Sequence, residues 1–164
     1  MGEPGACDFF LIKAEMMEAV SNGIFRGPHP KDERTFKMMK TILNLQTGFW
    51  EILFGNPNEE FNSCVDNEVT LHDMAWHGIF PPRVEDVISA LTVMKIANKP
   101  LYVHCRHGRE RTGFMVAVYR MAVENWEFDR AYAEWKAMGC RWPVYLLWKK
   151  RLRHFERLRN VPAL

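Results

Sequence analysis

The stretch PLYVHCRHGRERTGFMVAVYRMAVE, Pro100 to Glu124, changes character twice. It opens on a short apolar run, LYVHC, of the kind that forms a buried strand, and passes into a polar loop containing Gly108. From Thr112 the pattern TGFMVAVYRMAVE turns helical. A strand that runs through a tight loop into a helix is half of a β-α-β unit, since parallel strands need a crossover that is usually helical. The fold class predicted is α/β.

The flanking sequence has the same alternation. Pro82 suits the first turn of a helix running to about Ala97, with Val84, Val87, Ile88, Leu91 and Met94 at helical spacing. Before it, EVTLHDM alternates Val69 and Leu71 with Thr70 and His72, the period of a strand ending near Asp73. TILNLQ, Thr41 to Gln46, reads as a buried strand, preceded by a helix that Asp32 caps and that carries Phe36 and Met39 on one face. Phe9 to Ile12 and GIFRG, Gly23 to Gly27, read as the first extended pieces. In residues 48–66, FWEILF fits either a helical turn or a strand, and GNPNEE reads as a loop. Two further helices are expected near Phe128 to Met138 and Val144 to Arg159.

The length of 164 residues leaves room for one domain, and 48% apolar content is enough for an ordinary core. No apolar run of ~18 residues occurs, and the N-terminus lacks a charged leader region. A cytoplasmic location is therefore expected, although a signal removed upstream of Met1 would leave no trace. Residues 1–72 hold 6 Lys and Arg against 11 Asp and Glu, a balance of −5, and the remainder holds 16 against 9, a balance of +7. The C-terminal half thus offers a positive field to anionic partners. Cys7, Cys64, Cys105 and Cys140 form no CxxC pair, so neither a disulfide framework nor a zinc-ribbon spacing is present.

The loop HCRHGRERTG, His104 to Gly113, places a cysteine at the end of a strand and an arginine at the start of a helix. Curled backbone N–H groups and a helix N-terminus together make an anion nest, and Gly108 permits the dihedrals the curl needs. A thiol in such a field is favoured as the thiolate. Arg111 can fold back so that its planar fork takes two phosphate oxygens, and Thr112 can give its hydroxyl to the thiolate as it leaves.

These residues resemble the signature HCxxGxxR[ST] of the cysteine-dependent phosphatase superfamily, matched at His104, Cys105, Gly108, Arg111 and Thr112, with Gly113 following. The short chain looks like the compact dual-specificity class. GIFRGPHP, followed by a helix and TILNLQ, is similar to the opening of the plant-and-fungal atypical dual-specificity phosphatases and their bacterial relatives. The resemblance covers about residues 18–158, except for 48–66 and the extreme C-terminus. It implies a single phosphatase domain built on a central, mostly parallel sheet of four to five strands flanked by helices, with no cofactor and no metal. Two other readings compete. A rhodanese has a cysteine on a loop before a helix but needs no Arg-Thr-Gly at this spacing. Zinc on His104, Cys105 and His107, completed by His72 or His77, would face repulsion from the arginines at 106, 109 and 111.

Cleaving a phosphate ester requires a proton for the leaving oxygen, and the same group can afterwards activate water against a phosphocysteine. Asp73, 32 residues before Cys105 at the end of the preceding strand, lies at about the separation of the general acid in dual-specificity phosphatases. The plain alternative is that Asp73 only caps a turn; Glu110 and His77 are the substitutes within reach. His104 is read as an orienting residue that hydrogen-bonds loop carbonyls, and His107 as a residue of the site's rim.

Arg106 and Arg109 add two cations to a site that already has Arg111. Phosphatases of phosphoinositides and inositol polyphosphates place basic residues at these two positions, so the resemblance implies a small, multiply phosphorylated substrate bound by Arg106, His107, Gly108, Arg109 and Glu110. A phosphoprotein substrate is the alternative, with the two arginines merely raising the field. The segment WKKRLRHFERLR sets Trp148, Leu152, Phe155 and Leu158 at helical spacing. It reads as a terminal helix docked on the core with a solvated basic face, the alternative being a helix lying on a membrane surface. No module for reading nucleic acid accompanies it. Trp126, Trp135, Trp142 and Trp148, with Met115, Met121 and Met138, are read as core. The chain is expected to be a monomer.

Overall fold

The computed structural model describes residues 17–46 and 57–157. In chain order the elements are β1 (Glu18–Ser21), β2 (Ile24–Gly27), α1 (Glu33–Met38), β3 (Thr41–Asn44), α2 (Pro57–Asp66), β4 (Thr70–Asp73), α3 (Val84–Ile96), β5 (Leu101–His104), α4 (Glu110–Ala122), α5 (Phe128–Ala137) and α6 (Val144–Phe155). The strands form one five-stranded sheet in the order β1-β2-β5-β3-β4. Only β1 is antiparallel, joined to β2 through Asn22 and Gly23, both at positive φ as tight hairpin turns prefer. The α/β expectation and the mostly parallel sheet are met.

Alternation along the buried strands divides the core into two layers. Ile24, Leu43, Leu101 and Val103 face the larger layer, closed by α3, α4, α5 and α6 through Met94, Phe114, Trp135 and Trp148. Phe25, Ile42 and Tyr102 face the smaller one, closed by α1 and α2 through Phe36 and Cys64. The same period puts His104 on the face of Tyr102, whose ring stacks on it at 5.6 Å. The sheet therefore directs His104 toward α2.

Several local expectations change. GNPNEE is not a loop throughout: α2 begins at Pro57, where a missing N–H costs nothing, and Glu59 and Glu60 in its first turn suit the positive end of the helix dipole. α4 starts at Glu110, two residues before the helical periodicity becomes readable. Helix α6 docks through Val144, Trp148, Leu152 and Phe155, as a terminal core helix should, and Leu158 lies outside the described residues. Trp142 is not core: it is 73% exposed at the turn before α6. Phe9 to Ile12 and residues 48–56 also fall outside the described residues. Among the described residues no helix is long and apolar enough to cross a membrane.

Candidate active site

Gly27, Asn44, Asp73 and His104 lie in register at the ends of their strands. The C-terminal edge of a parallel sheet is where the connecting loops converge, and ligands of open α/β sheets bind there. The loop from Cys105 to Arg109 leaves this edge and enters α4, whose first N–H groups have no partners within the helix. Cys105 is almost fully buried, at 1% exposure.

Gly108 sits at φ +69°, and a Cβ there would lie 2.5 Å from the carbonyl carbon and oxygen of Gly27 and 2.7 Å from the nitrogen of Pro28. Both the backbone conformation and the available space exclude a side chain. The signature's last glycine has another reason: a Cβ on Gly113 would collide with Cδ1 of Trp135. That indole also donates to the Glu110 carbonyl at 3.0 Å, pinning α5 to the start of α4.

Arg111 is half-buried, and its Nη1 donates to the carbonyl of Trp76 at 3.0 Å. The segment following β4 is thereby tied to the start of α4. Thr112 is fully buried, and its hydroxyl is without a protein partner among the described residues. Arg106, His107 and Arg109 are exposed at the rim. Burial and then the neighbouring Arg106 hold the His107 imidazole below its ordinary range.

His104 does not serve loop carbonyls through its outer nitrogen. Its Nε2 lies 2.7 Å from Oε1 of Glu60, and its Nδ1 has no partner among the described residues. Alternation along β5 fixes this direction, because the ring must leave on the α2 side. Glu60 is itself 8% exposed, accepts from Asn44 Nδ2 at 2.9 Å, and lies 3.8 Å from His29 Nδ1. Burial alone would raise its carboxyl, but the bond with His104 and the charges of His104 and His29 hold it below the ordinary glutamate value. Asn44 Oδ1 accepts from the Gln46 backbone, so both ends of this amide are used.

Asp73 stands at the end of β4, separated from β5 by β3 alone. Partial burial and the Glu60 carboxylate push its carboxyl above the ordinary value, against His104 and a hydrogen bond from Asn44. The two substitute acids are otherwise engaged. Glu110 is buried at 5% exposure and pairs with Arg141 Nε at 2.6 Å; burial would raise it, but that bond holds it below the carboxylate range. Its carboxylate is taken up by this pair. His77 Nδ1 accepts from the backbone N–H groups of Ile79 and Phe80 at 3.1 and 3.2 Å, closing a turn. Desolvation pushes Cys64 and Cys140 up to about 12, so neither is a ready thiolate partner for Cys105.

Ligand-capable atoms of His29, Glu60 and His104 lie within 4.8 Å of one another. Within this cluster Glu60 is hydrogen-bonded to His104 at 2.7 Å and to Asn44 at 2.9 Å, while the partly exposed His29 stands off at 3.8 Å. Glu60, His29 and Asn44 were not singled out by the sequence. Pro57 followed by two acids is a helix-start signature, but nothing local reveals that the helix meets His104.

A sequence profile described as the Tyrosine phosphatase family matches residues 11–140. The inositol diphosphatase DSP3 of Arabidopsis thaliana is 30% identical over 129 residues, 75% of this chain and 62% of its own length. The dual specificity protein phosphatase TpbA of Pseudomonas aeruginosa is 33% identical over 81 residues, 41% of this chain and 37% of its own. The chain thus spans less than two thirds of these relatives. The crystal structure of the core catalytic domain of the PP-IP phosphatase SIW14 from S. cerevisiae, in complex with citrate, superposes with a TM-score of 0.67 at 22% identity, over 82% of this chain and 83% of that one. That likeness shows a shared fold.

Proposed function

The chain belongs to the tyrosine phosphatase family, and from that membership we propose that it hydrolyses phosphomonoesters through a phosphocysteine on Cys105, favouring a small molecule with several phosphates. The observation that carries this reading is the loop itself. Cys105 ends β5, Gly108 fits only as glycine against Gly27, and Arg111 and Thr112 open the helix beyond.

Sγ of Cys105 attacks phosphorus while the bond to the leaving oxygen breaks, and Asp73 gives that oxygen its proton. A carboxyl held above its ordinary value keeps its proton to a higher pH than a free aspartate would, as suits a donor. Arg111 and the free N–H groups of α4 take the charge on the equatorial oxygens. In the second half Asp73, now a carboxylate, takes a proton from water as the water oxygen attacks phosphorus and the S–P bond breaks. The hydroxyl of Thr112 stabilises the departing thiolate, and its buried, unpartnered state supports that role.

The substrate class is supported by the exposed Arg106 and Arg109 at the rim and by relatives whose names are inositol diphosphatases. A phosphoprotein substrate is the second reading, supported by the TpbA match. The reading covers one catalytic domain with its core at about residues 18–158, working as a cytoplasmic monomer. The burial of Val144, Trp148, Leu152 and Phe155 of α6 in the core supports the monomer.

Phosphate release from inositol hexakisphosphate, a phosphoinositide, a phosphotyrosine peptide and an aryl phosphate, each compared with Cys105→Ser, tests the proposal. Preference for the inositol compounds, lost in the variant, is expected. Preference for the peptide would transfer the assignment to protein phosphatase, and undiminished turnover by Cys105→Ser would remove the covalent mechanism.

A further inference from the structure

Beside the catalytic loop lies a cavity of about 580 Å³, within the range of small-molecule sites, lined by the segment Pro28–Asp32, by Arg34 of α1 and by Arg106, His107 and Arg109. We propose that this cavity is a second anion subsite, in which Lys31 acts with Arg106 and Arg109 to hold the phosphates of the substrate that are not being cleaved. The inference rests on the phosphatase reading and extends its recognition surface to residues far from the signature.

The charge balance favours an anion. Lys31, Arg34, Arg106 and Arg109 line the cavity, with Asp32 the carboxylate among its lining residues and Arg34 the cation that offsets it. Asp32 is already committed, capping α1 through the Arg34 N–H at 2.9 Å and pairing with the Arg34 guanidinium at 2.6 Å. Among the described residues no salt bridge engages Lys31, Arg106 or Arg109. Three cations without a salt bridge around one concave space repel one another, and a polyanion relieves that repulsion.

The site is also built rather than incidental. The segment bearing Lys31 is held to the catalytic loop at three places. The His29 N–H donates to the Arg106 carbonyl at 3.3 Å, the Tyr102 hydroxyl donates to the Pro28 carbonyl at 2.7 Å, and Gly108 fits closely against Gly27 and Pro28. Pro28 and Pro30 fix two φ angles on either side of His29. The backbone from which Lys31 projects thus has a set position relative to Cys105, as a multi-point contact with one rigid ligand requires. Met38 and Tyr102 add apolar surface to the lining, which strengthens charge contacts made in the cavity.

The ligand chemistry is a compact ring or small scaffold with several phosphate monoesters, either a soluble inositol polyphosphate or a phosphoinositide headgroup. Binding is measured on the Cys105→Ser chain, so that turnover does not enter, by calorimetry with inositol hexakisphosphate, with inorganic phosphate, and with phosphatidylcholine vesicles with and without phosphoinositide. Lys31 is exposed, so Lys31→Ala and Lys31→Glu should both fold. Each should weaken inositol hexakisphosphate or phosphoinositide vesicle binding about tenfold or more, the charge reversal further, while inorganic phosphate moves much less. The ligand that shifts identifies the source, soluble or lipid-borne. Equal weakening of inorganic phosphate, or unchanged affinity for both polyphosphate ligands, overturns the subsite. Failure of the turnover panel with the binding loss intact would strike the catalytic reading and leave this one standing.

Discussion

Glu60 on α2 and His104 at the end of β5 are 44 residues apart in sequence and 2.7 Å apart in space, with the histidine fully buried and the carboxylate nearly so. This contact joins the residue preceding Cys105 to a helix on the opposite face of the sheet from α4. A buried charge without a partner is costly, so each holds the other, and the backbone at Cys105 is fixed as a result.

Glu60→Gln should destabilise the fold by about 1.5–3 kcal/mol near neutrality, because an amide cannot accept from both His104 and Asn44. The pH dependence has a definite sign. A carboxyl held below its ordinary 4.5 contributes stability that is fully present above that value and is lost as pH falls through the depressed one. Urea midpoints of the two proteins should therefore converge in acid. A gap that stays constant down to the lowest pH at which both fold would remove the charge from the argument.

Cys105→Ser should lower turnover about 10³-fold or more while leaving circular dichroism and phosphate binding intact. Activity should also survive EDTA, since arginine and backbone amides neutralise the charge. A loss on chelation that zinc reverses would give the His29, Glu60 and His104 cluster a metal role.

Asp73→Asn should slow hydrolysis of alkyl phosphates ~10²–10⁴-fold and that of an activated aryl phosphate far less, because phenolate leaves without a proton. In the unaltered chain alkyl phosphate turnover should decline as pH rises through the Asp73 value, which lies above the ordinary 3.8. The variant should lack that limb. Equal slowing of both substrates would assign Asp73 to binding.

Gly113→Ala offers a test of sign. Helix propensity alone predicts a gain of about 1 kcal/mol in the interior of α4. The Trp135 indole occupies the space a Cβ needs, so a lower Tm is expected. Pairing the change with Trp135→Leu should recover part of the loss relative to Trp135→Leu alone, and strict additivity would mean the two residues do not compete for that volume.

What the sequence disclosed follows the range over which each signal acts. The β5-loop-α4 unit was readable because its whole chemistry lies within ten consecutive residues, from His104 to Gly113. The sheet was readable because TILN and LYVH are buried on both faces and so run continuously apolar or nearly so. His104 was singled out for its place beside Cys105, but its partner was not, since Glu60 becomes visible only when β5 passes beneath α2. The partner of Glu110 was hidden for the same reason: its ion pair with Arg141 spans 31 residues and belongs to the packing of α6's approach on α4. Trp142 shows the opposite error, an apolar residue that the turn before α6 leaves in solvent.

The seating of Gly108 against Gly27 and Pro28 has a consequence for engineering. The decapeptide from His104 to Gly113 carries every signature side chain, yet part of its mould is a turn some eighty residues earlier in the chain. Transplanted onto another strand-to-helix junction, it would keep its chemistry on paper and lose its curvature. A graft that works would have to bring the Gly27–Pro30 turn with it as a second, discontinuous piece.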